Sequence, residues 1–294
     1  MTNVVIAGSS GLIGTALRLS LEADGHTVTR LVRRVPSAPG EVEWPPAPEV
    51  LAGADVVVNL AGAGLGDRRW TPAYKKVLLD SRVSTAAALA ELCVQARPRV
   101  LISASGMRWY GIDRGDEPLT EASAAASPGF LPMVSHRWEA ATRPAEDAGI
   151  RVCHLRTGLV LSGQGGVLPK LLPFFRAGLG ASIGSGREYW SQISLPDTVR
   201  AIRFLAEDPQ AYGPYNITAP YPARSRDFTD ALARELGRRA FLRLPIWPLR
   251  LTVGQVAPEV LGSLRVIPDR LTRAGFTFHH PDVGSALRAA LDHA

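Results

Sequence analysis

NVVIAGSSGLIGTAL, residues 3–17, is a short β-branched run that breaks into glycines at Gly8, Gly11 and Gly14 before a helical pattern begins. A strand that ends in such a turn and enters a helix is shaped to wrap a pyrophosphate. The first glycine permits a tight turn at positive φ, the second lets the backbone approach the phosphates, and the third lets helix and strand pack closely. Free N–H groups of the first helical turn and the positive end of the helix dipole then face the anion. The reading is dinucleotide binding through Gly8, Ser10, Gly11, Leu12, Ile13 and Gly14. The competing reading is a turn that serves packing alone.

Working outward, the first 160 or so residues alternate β-branched runs with helical patterns. Strands are predicted at 3–8, 26–33, 54–62, 99–105 and 151–161, and helices at 11–23 and 83–96. A further helix is expected over 137–149, ended or kinked by Pro144. Gly25 and Gly149 each stand after a helical pattern and before a strand, where a positive φ is needed. This alternation argues for a doubly wound α/β fold, with helices on both faces of a parallel sheet. After residue 162 the texture becomes glycine- and proline-rich and reads as an irregular insertion over a site. Helix is expected again over 194–208 and 227–238, a strand over 213–218, and helices with one short turn from Pro245 to the end.

The dinucleotide is read from the end of the second strand. In an NAD site an acidic side chain about 20 residues beyond the glycines bonds the ribose 2′-OH. Here that place holds Arg33 and Arg34, and no Asp or Glu occurs between Asp24 and Glu41. A guanidinium there pairs with the 2′-phosphate of NADP(H). NADP(H) is therefore the expected cofactor, the alternative being that these arginines simply cap the strand at the surface.

Composition excludes several classes. The chain of 294 residues is 46% hydrophobic and 20% charged, with two cysteines, Cys93 and Cys153, both in apolar surroundings. No disulfide framework is expected, and a reducing cytoplasm follows. No basic segment precedes the first apolar run, so no export signal or membrane span is expected. The net charge of +6 comes from scattered arginines rather than a basic block, which argues against nucleic-acid binding. His279 and His280 have no Cys or carboxylate cluster at ligand spacing, so no metal site is expected. The six tryptophans read as core or pocket wall. The expected partner is a small-molecule substrate; oligomeric state is not legible.

Gly8-Ser-Ser-Gly11-Leu-Ile-Gly14, Asn59-Leu-Ala-Gly62, Ser103-Ala-Ser105 and Tyr110-Gly111 together resemble the extended, epimerase-type short-chain dehydrogenase/reductases. DRRWTPAYKKVLLDSRVSTAAAL (67–89), FLPMVSHRWEAAT (130–142), LRTGLVLSGQGG (155–166), GSGREYWSQISLPD (184–197) and YNITAP (215–220) resemble an atypical branch that ends in a small C-terminal domain of unknown function. The resemblance implies a Rossmann-type NADP-binding domain over 1–161 plus 193–218. It also implies a smaller, mostly helical substrate or lid domain over 162–192 plus 219–294, with the family-specific segment at about 245–294. NADP(H) would lie across the C-terminal edge of the sheet, with Asn59, Leu60, Ala61 and Gly62 lining its adenosine and ribose side.

The superfamily's proton donor is a tyrosine four residues before a lysine, which lowers the phenol pKa toward the working pH. Aligned on Glu139, those places hold Leu131 and Ser135, so the pair is absent. Ser105 matches the serine that orients the substrate, with Ser103 as alternate. Tyr110 is the candidate for proton transfer, or else a packed strand-end aromatic. His136 is either a substrate contact or a solvated helix residue. Arg82 and Arg156 read as binding residues or as internal ion-pair partners. An Arg-Asp-Phe-like run that holds a substrate phosphate in nucleotide-sugar members reads Trp190-Ser191-Gln192 here, with Arg187 three residues away. Arg187 and Trp190 are the expected substrate contacts, and a UDP-sugar is disfavoured. The expectation is an NADP(H)-dependent oxidoreductase; its alternative is a non-catalytic NADP(H)-binding sensor.

Overall fold

The computed structural model describes residues 1–126, 128–244 and 261–292. It opens with β1 (Asn3–Ala7), α1 (Leu12–Ala23), β2 (Thr27–Val32), β3 (Glu41–Glu43) and β4 (Val56–Asn59). Then come α2 (Pro72–Ala96), β5 (Val100–Gly106), β6 (Pro118–Leu119), α3 (Phe130–Ala140), α4 (Arg143–Asp147) and β7 (Arg151–Thr157). A seven-stranded sheet runs in the order β12-β7-β5-β4-β1-β2-β3, where β12 is Gly213–Ile217. From β3 through β2, β1 and β4 to β5 every pairing is parallel.

The central strands β1, β4 and β5 are buried along nearly their whole length, and mostly apolar, because both faces are covered. Val5, Ala7, Val57 and Leu101 pack with Leu89, Ala90 and Cys93 of α2 and Ala145 of α4. The alternate residues Val4, Val56 and Val58 face Leu17 and Leu21 of α1 and Ile202 of α6 (Leu195–Glu207) on the other side. Both cysteines are buried free thiols.

The chain leaves β1 toward β2 on one side and continues to β4 on the other. This reversal opens a crevice beyond the C-terminal ends of β1 and β4, where α/β sheets of this kind bind ligands.

Two compact units are distinguished: Met1–Ser105 with Val134–Leu155 and Val199–Pro214, and Gly106–Met133 with Arg156–Thr198 and Tyr215–Ala294. The second contains β8 (Leu159–Leu161), α5 (Leu168–Arg176), β9 (Ala181–Ile183), β10 (Tyr189–Trp190), β11 (Gln192–Ser194), β13 (Ala223–Arg224) and α7 (Ser225–Glu235). Its apolar centre joins Leu168, Leu172 and Phe175 of α5, Phe228 and Leu232 of α7, and Leu287 of the helix Val283–Leu291.

Several local readings change. The stretch after residue 162 is not irregular throughout, because α5, with Pro173 inside it, and β9 both lie within it. The strand expected over 151–161 is two strands broken at Gly158, where a Cβ would come 2.4 Å from the Ser191 carbonyl oxygen. Pro144 does not kink a helix but sits in the first turn of the separate α4, where its missing N–H costs nothing. Gly25 and Gly149 do adopt positive φ, at 77° and 78°. Residues 245–260, including Trp247 and the helices expected there, lie outside the described residues.

Candidate functional site

In the first unit the glycine turn forms one wall of a cavity of about 910 Å³. Gly8 turns the chain at φ 84°, and its carbonyl accepts from the Gly11 N–H at 3.1 Å. A side chain on Gly14 would meet the Gly8 oxygen at 2.2 Å, so only glycine lets α1 approach the turn. Gly11 faces open space by contrast: a Cβ there finds only the Gly8 oxygen, at 3.4 Å. It caps α1 with no side-chain hydrogen bond, and the first turn carries no acidic residue. The N–H groups of that turn are thus left for an external acceptor. Such a terminus can hold a diphosphate without displacing any side chain of its own.

The opposite walls carry Leu60, Ala61 and Gly62 after β4, Ser81 and Thr85 of α2, and a basic rim of Arg18, Arg30, Arg33 and Arg34. Arg33 has no ion pair or side-chain hydrogen bond among the described residues. Arg34 is engaged. Its guanidinium lies 2.6 Å from Glu41 Oε1, and Arg30 is 3.2 Å from the same oxygen. Ser37 N–H donates to the other oxygen at 2.9 Å. Together these donors hold the Glu41 carboxyl at about 2, the backbone N–H contributing most.

Asn59 is fully buried at the end of β4. Its Oδ1 accepts from the Ala61 N–H at 3.2 Å, shaping the turn into 60–62, and its Nδ2 has no partner. In the parallel register it stands beside Ser103, whose Oγ is also buried and unpartnered. Buried donors of this kind are rare in native structures and mark places where a ligand or water completes the set. Arg82 does not reach into the cavity. It donates to the carbonyls of Leu78 and Ala63, both at 3.0 Å, and lies 5.2 Å from the Trp138 ring centroid. Burial pulls it down to about 10, so it stays cationic at neutral pH while clamping the loop after β4.

Ser105, two residues beyond Ser103 and therefore on the same face of β5, donates to Glu139 Oε1 at 2.8 Å. Glu139 is on α3, the helix that also carries the half-buried His136. Leu131 and Ser135, at the places of the absent tyrosine and lysine, are both buried.

The second unit holds the remaining candidates. Tyr110 is fully buried; its hydroxyl donates to Asn216 Oδ1 at 2.7 Å and accepts from Arg156 at 3.1 Å. Arg156 stacks 3.4 Å from the Trp109 ring centroid. The Asn216 N–H donates to Glu121 Oε1 at 2.9 Å, and its amide donates to the Ile267 carbonyl at 2.8 Å. Burial pushes the phenol up to about 12. Both hydroxyl roles are thus spent on structure, and so is the Arg156 contact with it. Trp190 packs on Phe228 with ring centroids 5.4 Å apart. Arg187 is exposed and shares a hollow of about 450 Å³ with Arg224, Arg226 and Arg243. His279 and His280 donate backbone N–H groups to the buried Asp197 carboxylate at 3.0 and 2.7 Å, which pins their turn. Among the described residues no group of three or more His, Cys, Asp or Glu is arranged to hold a metal ion, and no helix is long and apolar enough to cross a membrane.

The sequence model of the NAD dependent epimerase/dehydratase family matches residues 4–218. The chain belongs to that family. A second model, a domain of unknown function (DUF1731), matches residues 244–290 of this epimerase-family chain. An epimerase family protein of Mycobacterium bovis is 44% identical over 290 residues, 97% of this chain and 96% of that one. The human epimerase family protein SDR39U1 (isoform 2), solved with NADPH, superimposes with a TM-score of 0.92 at 31% identity and covers all of both chains. A nucleoside-diphosphate sugar epimerase of Corynebacterium glutamicum gives a TM-score of 0.82 at 37% identity, covering 99% of this chain and 58% of that one.

Reasoning from the sequence missed Glu139 and Glu41. Glu139 served only as an alignment anchor, and its partner is 34 residues away. Glu41 marked only the end of a stretch without acidic residues. The short β3 that folds it back beside β2 carries no signal in its three residues, Glu-Val-Glu.

Proposed function

We propose that this epimerase-family protein is an NADP(H)-dependent oxidoreductase that handles the substrate proton with Ser105 and Glu139. The observation that carries the reading is the uncapped start of α1 opening onto a cavity whose far rim is arginine-rich. Backbone N–H groups of Ser10, Leu12 and Ile13 hold the diphosphate, and Gly11, its own N–H bonded to the Gly8 carbonyl, lets the backbone approach it. Gly8 and Gly14 shape the turn. Leu60, Ala61 and Gly62 line the adenosine and ribose side, with Asn59 and Arg82 positioning that loop. Arg33 and Arg34 select the 2′-phosphate. A human relative solved with NADPH supports the same choice.

The bound cofactor supplies hydride acceptance or donation at its nicotinamide. The chain's own part is the proton. In the oxidative direction the substrate hydroxyl proton passes to Ser105 Oγ as the serine proton passes to Glu139 Oε1, and reduction reverses both transfers. The bonded Ser105–Glu139 pair has the geometry for this at 2.8 Å. Ser103, with its free hydroxyl on the same strand face, orients the reacting oxygen. Tyr110 and Arg156 are assigned to the frame of the second unit rather than to chemistry. Within the first unit a polar substrate atom meets His136, and in the second unit the arginine-lined hollow of Arg187 fits an anionic ligand. The two buried thiols suit a reducing compartment.

Calorimetry with NADPH and NADH, followed by turnover of a carbonyl and alcohol panel, tests the proposal. Tight NADPH binding with turnover lost in both Ser105→Ala and Glu139→Gln is the expected result. NADPH binding with full turnover in both variants removes the proton assignment, and no NADPH binding removes the proposal.

A further inference from the structure

The loop that bears the arginine rim is closed around a carboxylate of the chain itself. Glu41 collects an Arg34 guanidinium contact at 2.6 Å, Arg30 at 3.2 Å, the Ser37 N–H at 2.9 Å and the Ser37 hydroxyl at 3.4 Å. Arg34 bonds the Ser37 hydroxyl as well. A guanidinium, a backbone N–H and a serine hydroxyl form the donor set that a phosphate takes. The Glu41 side chain is only 2% exposed, so its oxygens are enclosed by these donors, while Arg34 itself is 56% exposed and both residues lie in the wall of the cavity. Of the remaining rim, Arg18 is paired with Glu22 at 2.6 Å. Arg33 is the rim guanidinium with no partner among the described residues. The rim therefore presents far less net charge to a ligand than its four arginines suggest.

We propose that Glu41 is an internal stand-in for the 2′-phosphate. It holds Arg34 and Ser37 in a phosphate-ready arrangement and sets the discrimination between phosphorylated and unphosphorylated dinucleotides, because an incoming phosphate competes with it for the Arg34 guanidinium and the Ser37 donors. Arg33 makes the first contact. Arg34 and Ser37 transfer from the carboxylate to the phosphate as the loop re-forms. NADH brings no group to this place and leaves the Glu41 contacts intact. This inference rests on the NADP(H) reading, but it concerns the change in preference on removing one charge, which is measured separately from the preference itself.

The experiment is calorimetry with NADPH, NADH and 2′,5′-ADP on the full-length wild-type protein and on Glu41→Gln, with thermal unfolding of each. The glutamine keeps size and one acceptor while removing a full charge beside a near-dianionic group. The NADPH-to-NADH affinity ratio should then rise on the order of tenfold, with NADH affinity unchanged and 2′,5′-ADP following NADPH. A ratio that stays level or falls overturns the inference whatever the wild-type preference, since the carboxylate is then only a frame for the loop. A wild-type protein that does not favour NADPH strikes at the cofactor reading, while a rise in Glu41→Gln still supports the role of Glu41. Binding of neither dinucleotide by either protein overturns both.

Discussion

Replacing Tyr110 by phenylalanine removes one oxygen atom from a fully buried network and leaves the ring in place. That oxygen donates to Asn216 Oδ1 at 2.7 Å and accepts from Arg156 at 3.1 Å. Without it the Asn216 acceptor is buried and unpaired, which costs about 1–3 kcal/mol, and a charge-assisted bond from Arg156 is lost as well. The Asn216 amide stays tied to the Ile267 carbonyl and its N–H to Glu121, so it cannot rotate away to find another donor. The expected loss is about 2–4 kcal/mol, or roughly 4–8 °C in melting temperature for a chain of this size. Circular-dichroism melts and urea titrations read it directly, and NADPH calorimetry should be unchanged. A proton-transfer role gives the opposite pattern, with stability held or raised and turnover lost by a factor of about a hundred or more. A melting temperature within about 1 °C of wild type would refute the reasoning.

Two further expectations concern the same principles elsewhere. Gly14→Ala places a methyl group 2.2 Å from the Gly8 oxygen and 2.9 Å from the Ser9 Cα, both backbone atoms that cannot swing aside. It should cost about 1–3 kcal/mol by overpacking and abolish NADPH binding in calorimetry, whereas Gly25→Ala, with nothing within 4 Å but φ at 77°, should weaken folding alone. Alkaline stability is the other. Tyr110 and Cys93 are both held at about 12 by burial, against ordinary values of 10.0 and 9.0. The unfolded chain releases these protons first, so stability is intact below pH 9 and falls as pH rises from 9 to 12. Tyr110 accounts for roughly 2–3 kcal/mol of that fall. Urea midpoints that stay level across this window would contradict the burial of both groups, and Cys93→Ala should flatten the slope that begins at pH 9.

The parts of the site legible in the sequence are those that neighbouring residues encode. Gly8, Gly11 and Gly14 were readable because a positive φ, an open approach and a close packing contact are each imposed within one turn of chain. The arginines after β2 were readable because the crossover fixes how far that strand end lies from the glycines. The missing tyrosine and lysine showed as plainly as present ones. Side-chain pairing was not readable. Arg82 reads in the sequence as a binding residue or an internal partner, and it clamps a carbonyl of the loop after β4. Tyr110 reads in the sequence as a proton-transfer candidate or a packed strand-end aromatic, and only its bond to Asn216, 106 positions on, shows what its hydroxyl meets.

The amino-acid order by itself determined the α/β alternation, the diphosphate-shaped turn and the basic end of β2, since steric limits and apolar periodicity act over a few residues. Only the tertiary structure decided that Glu41 returns to Arg34 and that Ser105 meets Glu139. Strand order and parallel register bring those groups together across stretches of chain whose local pattern carries no record of the partner. The chemistry of each group then follows from who its neighbour is and how little water lies between them.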